Sequence, residues 1–459
     1  MISILVSVFC LILLWKVSVN TGIDQVYWVL LFILFVPPNI VILFFIPYNQ
    51  FLILILLAGI VFNKDWLEAL RSFPLKRTFI LFAICMITIA LFDHRGTLTS
   101  VQKIAKAVSF LTSNILFCLF TYIALNKTYS YSNLYRKIFL ILGVFTVYGV
   151  VCFVTKANPY ATALAEAYNI QDYMKTYLLN ADGRTRVNSF SFHPYLYGII
   201  LTIATLFFIY YYQHPRGLLK IPKNIALALL ALFVVNIFLS NSRSILLIFI
   251  LAYGLYSLFS ITADRFLIYL LIFPIVLLVA FQIPKVSKTI DQLTDVVFNG
   301  GNTTEGSNVD MRQQQLLISA KYFNDSPIFG NGFDYIIENL GFNADISKRE
   351  SDADAFGFES YFFVLLIEQG TIGIIGNLIL FIGLIIYHVR NIFRVSGLDR
   401  RFVFVNLLTI LGYLAFILTT GTLNSMPFFF IMIGVSISIQ QKMLTYKKAV
   451  IKDDMVNVS

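Results

Sequence analysis

Long apolar runs alternate with short polar breaks along almost the whole chain. They fall near 2–15, 26–46, 50–63, 78–92, 104–126, 137–155, 193–213, 224–240, 244–260, 266–284, 359–388, 403–420 and 426–441. Most are close to the roughly 20 residues that a helix needs to cross hydrocarbon. In lipid the backbone must satisfy its own hydrogen bonds, so helices are the expected element. Alternating ten-residue segments of the kind that build a membrane barrel are absent. The pattern predicts an all-α, polytopic helical membrane protein with about 12 transmembrane helices. Pro37 and Pro38 interrupt one early run and another is short, which leaves the N-terminal count open between 12 and 13.

One stretch breaks the pattern. Residues 285–358 form a long polar segment, and loops of that length carry function or are disordered. Ser307 and Asp310 offer a capping box for a helix over 307–324. Val309, Leu316, Leu317, Ala320 and Phe323 share one face of that helix, which predicts a lid lying on the membrane domain by its apolar side. The expected organisation is a helix bundle over 1–284 with a loop at 156–192, the lid over 285–358, C-terminal transmembrane helices over 359–441 and a tail over 442–459.

Composition agrees. The chain is 58% hydrophobic and 13% charged, with a mean hydropathy of +0.80, whereas a soluble domain is about a quarter charged. The net charge of +10 would suggest nucleic acid in a soluble protein. Here the basic residues sit in short breaks between apolar runs, where the positive-inside rule accounts for them. No aromatic and basic patch suited to single strands accompanies them. Cys10, Cys85, Cys118 and Cys152 lie inside apolar runs and read as small core residues. The four histidines are scattered, so neither a zinc cluster nor any cofactor is expected. The first fifteen residues lack a basic start, and no small-residue cleavage site follows, so a cleaved signal peptide is not expected.

Charge also orients the chain. Arg390, Arg394, Arg400 and Arg401, and the tail lysines Lys442, Lys447, Lys448 and Lys452, are expected on the cytoplasmic side of an inner, cytoplasmic membrane. Counting back by alternation leaves 93–103, 156–192, 241–243 and 285–358 on the external face. The two longest polar segments then share that face.

The lid carries 11 Asp/Glu against 6 Lys/Arg, so an anion site there must be built from particular arginines. Arg186 closes the 156–192 segment just before His193 and Pro194. It reads either as an interfacial lipid-headgroup anchor or as a phosphate or sugar contact. Arg243 sits among Ser240, Asn241, Ser242 and Ser244 between two apolar runs. A charge so near hydrocarbon snorkels or has a partner. Arg312 falls in the first turn or so of the lid helix, where the N-terminus favours an anion that a guanidinium grips with two N–H groups. Glu359 opens the apolar run after the lid. It is either a dipole-favoured helix start or a general base raised in pKa by Phe356, Phe358 and Phe362. His193 is a second candidate acid–base group. Glu368, deeper in the run, is expected to be paired or functional. Asp352 and Asp354 read as loop solvation.

These residues resemble the bacterial O-antigen polymerase and O-antigen ligase superfamily, which includes capsule and exopolysaccharide polymerases. The resemblance covers most of the chain as hydropathy and a few local motifs. In the ligase motif a histidine and then an asparagine, serine or glutamine are followed by nine residues, a glycine, two residues and a final glycine, threonine or tyrosine. Here Glu359 and Ser360 precede nine residues, Gly370, Thr371, Ile372 and Gly373. The spacing matches in full, with glutamate in place of histidine. The lead-in over 327–333 preceded by Arg312, the Ser242–Arg243 pair and the segment from Arg186 to Pro194 also look like the family's. The resemblance implies metal-independent, inverting glycosyl transfer from an undecaprenyl-diphosphate-linked glycan on the outer side of the membrane. By position, Arg243 and Arg312 would hold the diphosphate, Arg186 would contact donor or acceptor, and Glu359 would deprotonate the acceptor hydroxyl. The partners implied are lipid-linked donor and acceptor glycans and membrane lipids, with a chain-length regulator as a further candidate. The missing histidine favours a polymerase of repeat units over a ligase. A lipid-linked oligosaccharide flippase is the alternative from another class. It predicts charges inside the spans and shorter, more even loops.

Overall fold

The computed structural model describes residues 2–36, 41–42, 46–62, 64–126, 131–168, 186–191, 193–213, 221–260, 309–339, 360–420 and 423–456. Helices α1 (Ile2–Val19) and α2 (Gly22–Phe35) form an N-terminal pair. Helix α2 stops before the two prolines, with Val36 already extended at φ −107°, because a residue preceding proline is pushed out of the helical region. A two-residue antiparallel ladder, β1 (Val41–Ile42) with β2 (Ile46–Pro47), follows in register Ile42 to Ile46. Helices α3 (Tyr48–Phe62), α4 (Lys64–Arg71), α5 (Lys76–Leu91), α6 (Ser100–Asn114), α7 (Leu116–Ala124), α8 (Tyr131–Thr155) and α9 (Pro159–Tyr168) come next. Then come α10 (Pro194–Gln213), α11 (Lys223–Leu239) and α12 (Arg243–Ser260). The lid contributes α13 (Val309–Asp325) and α14 (Tyr335–Asn339). A short α15 (Tyr361–Val364) runs through a π turn (Leu365–Gln369) into α16 (Gly370–Arg394). Helix α17 (Gly397–Thr420) and α18 (Met426–Val456) complete the chain, with a 3₁₀ turn (Leu423–Ser425) before α18.

Among the described residues, six helices are long and apolar enough to cross a membrane: Tyr131–Thr155, Pro194–Gln213, Arg243–Ser260, Tyr361–Arg394, Gly397–Thr420 and Met426–Thr445. The apolar run over 104–126 is a pair, α6 and α7, bent by 43°. Four shorter apolar helices, Ile4–Val19, Gly22–Phe35, Tyr48–Phe62 and Lys223–Leu239, fall on other runs read from the sequence. The chain is thus a polytopic helical membrane protein. The run at 266–284 and the capping residue Ser307 lie outside the described residues. The tail begins as a continuation of α18 rather than as a separate element.

Contacts between helices fix which ends meet. Gly376 of α16 packs on Cys85 and Met86 of α5, and Gly383 on Thr78, so these two helices are antiparallel and Gly370 lies near the end of α5. Gly198 near the start of α10 touches Ser240 and Ile245 at the start of α12. At the opposite end Phe402 of α17 meets Phe207 and Tyr210 of α10, and Phe404 stacks on Phe259 of α12 at 3.9 Å. The end of α17 therefore lies with the starts of α10 and α12. Helix α8 runs beside α11, with Gly143 on Leu229 and Gly149 on Asn236. Residues 93–99, 186–191, 193, 240–243 and 327–338 gather by this arrangement at one end of the bundle.

Candidate functional site

The segment that carries Arg186 is short of regular structure but tightly held. Val187 donates its N–H to the Leu239 carbonyl at the end of α11 (3.0 Å). Asn158 brackets the next two residues, donating from Nδ2 to Asn188 Oδ1 (3.0 Å) and to the Ser189 carbonyl (2.8 Å). Its Oδ1 accepts from Tyr148 and from the Ala161 N–H. Ser189 donates to the Phe145 carbonyl (2.7 Å), and Phe190 stacks on Tyr148 with ring centres 4.1 Å apart. A loop anchored this way can present side chains as reproducibly as a helix end does.

Arg186 donates from Nη1 to the Tyr195 hydroxyl (3.4 Å), and its guanidinium carbon sits 5.9 Å from the centre of that ring. Its Nε is buried and, among the described residues, meets no acceptor. An orphaned buried donor is costly, and a phosphate or sugar oxygen is the kind of acceptor that would satisfy it. His193 Nδ1 accepts from the Tyr195 backbone N–H (3.1 Å), which places the proton of the neutral ring on Nε2. Burial, and then the positive charge of Arg186, lower the His193 pKa to about 3. The ring is therefore a neutral donor across physiological pH, not a cation.

Arg243 is the first residue of α12, directly after the turn at Asn241, whose φ is +49°. Ser242 and Ser244 hydroxyls lie 3.2 Å apart beside it. Because Gly198 packs against Ser240 and Ile245, Arg243 lies at the level of the first turn of α10, just after His193.

Arg312 lies in the first turn of α13 and donates from Nη2 to the Thr419 carbonyl (3.1 Å). Ser360 donates from Oγ to the adjacent Leu418 carbonyl (2.7 Å) and accepts from Phe362 N–H (3.2 Å), so it caps α15 as well. Both side chains answer unpaired carbonyls at the C-terminal end of α17, where the helix dipole favours a cation. This corrects the expected seating of the lid. Gln315 and Ser319 are buried, whereas Leu316 is 44% and Leu317 is 64% exposed. The helix lies on the bundle by the side that carries Arg312, Gln315 and Ser319, and Arg312 there meets the helix-end carbonyl of Thr419. Glu359, Asp352 and Asp354 lie outside the described residues. Ser360, next in sequence to Glu359, is fixed beside Arg312's own anchor.

The two glycine motifs, each weak alone, prove to be halves of one joint. Asn331 N–H and Nδ2 both donate to the Ile367 carbonyl (2.9 Å each), and Nδ2 also reaches the Tyr322 carbonyl. Gly332 N–H donates to the Glu368 carbonyl (2.9 Å). Thr371 and Ile372 return N–H bonds to the Pro327 and Ile328 carbonyls (2.9 Å each). The π turn opens α16 enough to free the carbonyls of Ile367 and Glu368 for this pairing, as such turns do at functional positions. Glu368, expected to be paired or functional, is paired: its Oε1 accepts the Ile336 N–H (3.1 Å).

A third group was missed by sequence reasoning. Asp93 and Arg95 stand just past the end of α5, and Arg95 bonds the lid at Phe333 and Glu338. The charged triplet over 93–95 was visible, but nothing in the sequence ties it to a partner some 240 residues away. Among the described residues no three His, Cys, Asp or Glu side chains come together as a metal site.

Arg186, His193, Arg243 and Arg312 thus lie at the same end of the bundle. The arrangement can receive an anion against cations held on helix ends, with hydroxyls alongside. No curated protein matches the chain. The model of the O-antigen ligase family matches residues 227–378, a stretch that contains Arg243, Arg312, Glu359 and both glycine motifs. Over that stretch, about a third of the chain, the protein is similar to the O-antigen ligase family.

Proposed function

We propose that the protein polymerises undecaprenyl-diphosphate-linked oligosaccharide repeat units into a surface polysaccharide, at the external face of the cytoplasmic membrane. The observation that carries this reading is the placement of Arg312 on the carbonyl end of α17, at the same end of the bundle as Arg186 and Arg243 and beside Ser360. In the proposed step Glu359 takes the proton of an acceptor hydroxyl. That oxygen attacks the anomeric carbon from the face opposite the leaving group. The carbon–oxygen bond to the diphosphate breaks, and its electron pair leaves with the phosphate. Arg243 and Arg312 stabilise the charge as it develops, which preorganised donors do with little reorganisation, and no metal is needed for it. Arg186 and His193 position the glycan beside the phosphate, His193 as a neutral N–H donor.

Glutamate where the ligase has histidine supports the polymerase over the ligase. Deleting the gene separates the two. The polymerase reading expects single repeat units at the cell surface. Complete chains retained on their lipid carrier would make the protein a ligase instead.

His193 gives a pH test. Its pKa near 3 lies below the ordinary histidine value of about 6.5, so between those values the unfolded state binds the extra proton. The residue thus costs stability as pH falls below about 6.5 and adds no titration to activity near neutrality. Wild type and His193→Gln are expected to have pH–rate profiles of the same shape between pH 6 and 8. A step near 6.5 present only in the wild type would show a titrating ring and remove the neutral-donor role.

A further inference from the structure

We infer that Asp93 and Arg95 form a clasp that sets the lid helix on the bundle, and that Arg95 is thereby a positioning residue for Arg312. Arg95 is nearly buried, with its side chain 7% exposed, and Asp93 is 1% exposed. Arg95 Nη2 bonds Asp93 Oδ2 (2.6 Å) and the Phe333 carbonyl (2.8 Å), while Nη1 bonds Glu338 Oε2 (3.0 Å). Arg95 Nε and backbone N–H complete the grip on Asp93. Lys103 donates to the Asp93 carbonyl (2.7 Å), and Lys106 pairs with both Asp334 (3.2 Å) and Glu338. Phe92 stacks on Phe329 at 4.3 Å, and Phe110 lies 5.4 Å from Phe333. The planar guanidinium, with its donors in a rigid fork, holds a carboxylate, a carbonyl and a second carboxylate in fixed relation.

The path from this clasp to Arg312 is short and stiff. Gly332 and Phe333 are held by Asp93 and Arg95. Asn331, one residue earlier, bonds the carbonyl of Tyr322 in the last turn of α13. Arg312 is ten residues back along that helix, about 15 Å at 1.5 Å per residue. A helix pinned at one end swings at the other when the pin loosens. What this does to catalysis rests on the proposed role of Arg312.

The test uses the full chain in lipid nanodiscs with Cys85→Ser, and with spin labels at the exposed positions Leu317 and Leu418. Intact, the pair is expected to give one narrow distance distribution. Arg95→Ala is expected to replace it by a broad one with its mean shifted, and Arg95→Lys by an intermediate one. Glu338→Ala, at an exposed partner, gives a smaller broadening and serves if Arg95→Ala does not fold. An unchanged distribution in the variants overturns the clasp. With lipid-linked repeat units, Arg95→Ala is also expected to lower kcat at least about tenfold with KM within about twofold, since a misplacement of about 1 Å can cost a hundredfold. A broadened distribution with kcat intact would keep the clasp and remove Arg312 from the reaction instead.

Discussion

Arg312→Ala is expected to cut polymer formation about a hundredfold to a thousandfold, the usual loss when one preorganised donor to a developing charge is removed. Arg312 donates to the Thr419 carbonyl, at a helix end whose dipole already favours a cation, so the guanidinium is fixed before substrate arrives. The planar group grips phosphate oxygens in pairs. Arg312→Lys keeps the charge but loses the plane, and an intermediate loss is expected. Lys321→Ala on the exposed side of the same helix is the control and leaves the rate unchanged. The measurement is product length and amount from purified protein given lipid-linked repeat units. Wild-type yield from Arg312→Ala would take this arginine out of the site. Loss in the lysine and alanine variants to the same extent would point to the plane of the group, not its charge.

The membrane architecture was legible because hydrocarbon thickness dictates the length of each apolar run, and a run of that length leaves a helix as its only economical form. The breaks were legible where chemistry is local, as at Pro37 and Pro38. The site was legible as separate words. Arg186, Arg243, Arg312 and the two glycine motifs all stood out in the sequence, yet their pairing did not, because a bond from Asn331 to Ile367 leaves no mark in the spacing of either. The lid helix went the wrong way round for a similar reason. Periodicity reports which side of a helix is apolar. It does not report that Arg312, on the polar side, finds a helix-end carbonyl at Thr419, nor that Ser319 can be buried by bonding back to the Gln315 carbonyl of its own helix. The clasp at Asp93 and Arg95 escaped because two charges beside a short loop look solvated until the chain brings Glu338 and Phe333 to them.

The joint between the motifs leads to the second large effect. Gly330→Ala is expected to undock the lid. Gly330 has φ +71°, and a Cβ there would lie 2.4 Å from the Gln369 backbone nitrogen and from the Glu368 carbonyl carbon. The obstacle is backbone, which cannot rotate away, and Gly370 faces back at φ +58° with a Cβ position 2.5 Å from the Gly330 nitrogen. Left-handed strain of about 1–2 kcal/mol adds to overpacking of about 1–3 kcal/mol. The joint would open at least about thirtyfold more often, at a tenfold change per 1.4 kcal/mol. Hydrogen exchange reads this directly at the amides of Asn331, Gly332, Thr371 and Ile372, whose bonds to Ile367, Glu368, Pro327 and Ile328 carbonyls form the joint. Gly96→Ala is the matched control, because a Cβ there meets nothing within 4 Å. Unchanged protection of those four amides in Gly330→Ala would mean that the lid does not depend on this joint. Faster exchange there together with lost polymer would tie the docked lid to the reaction, since Arg312 stands on the helix that the joint holds.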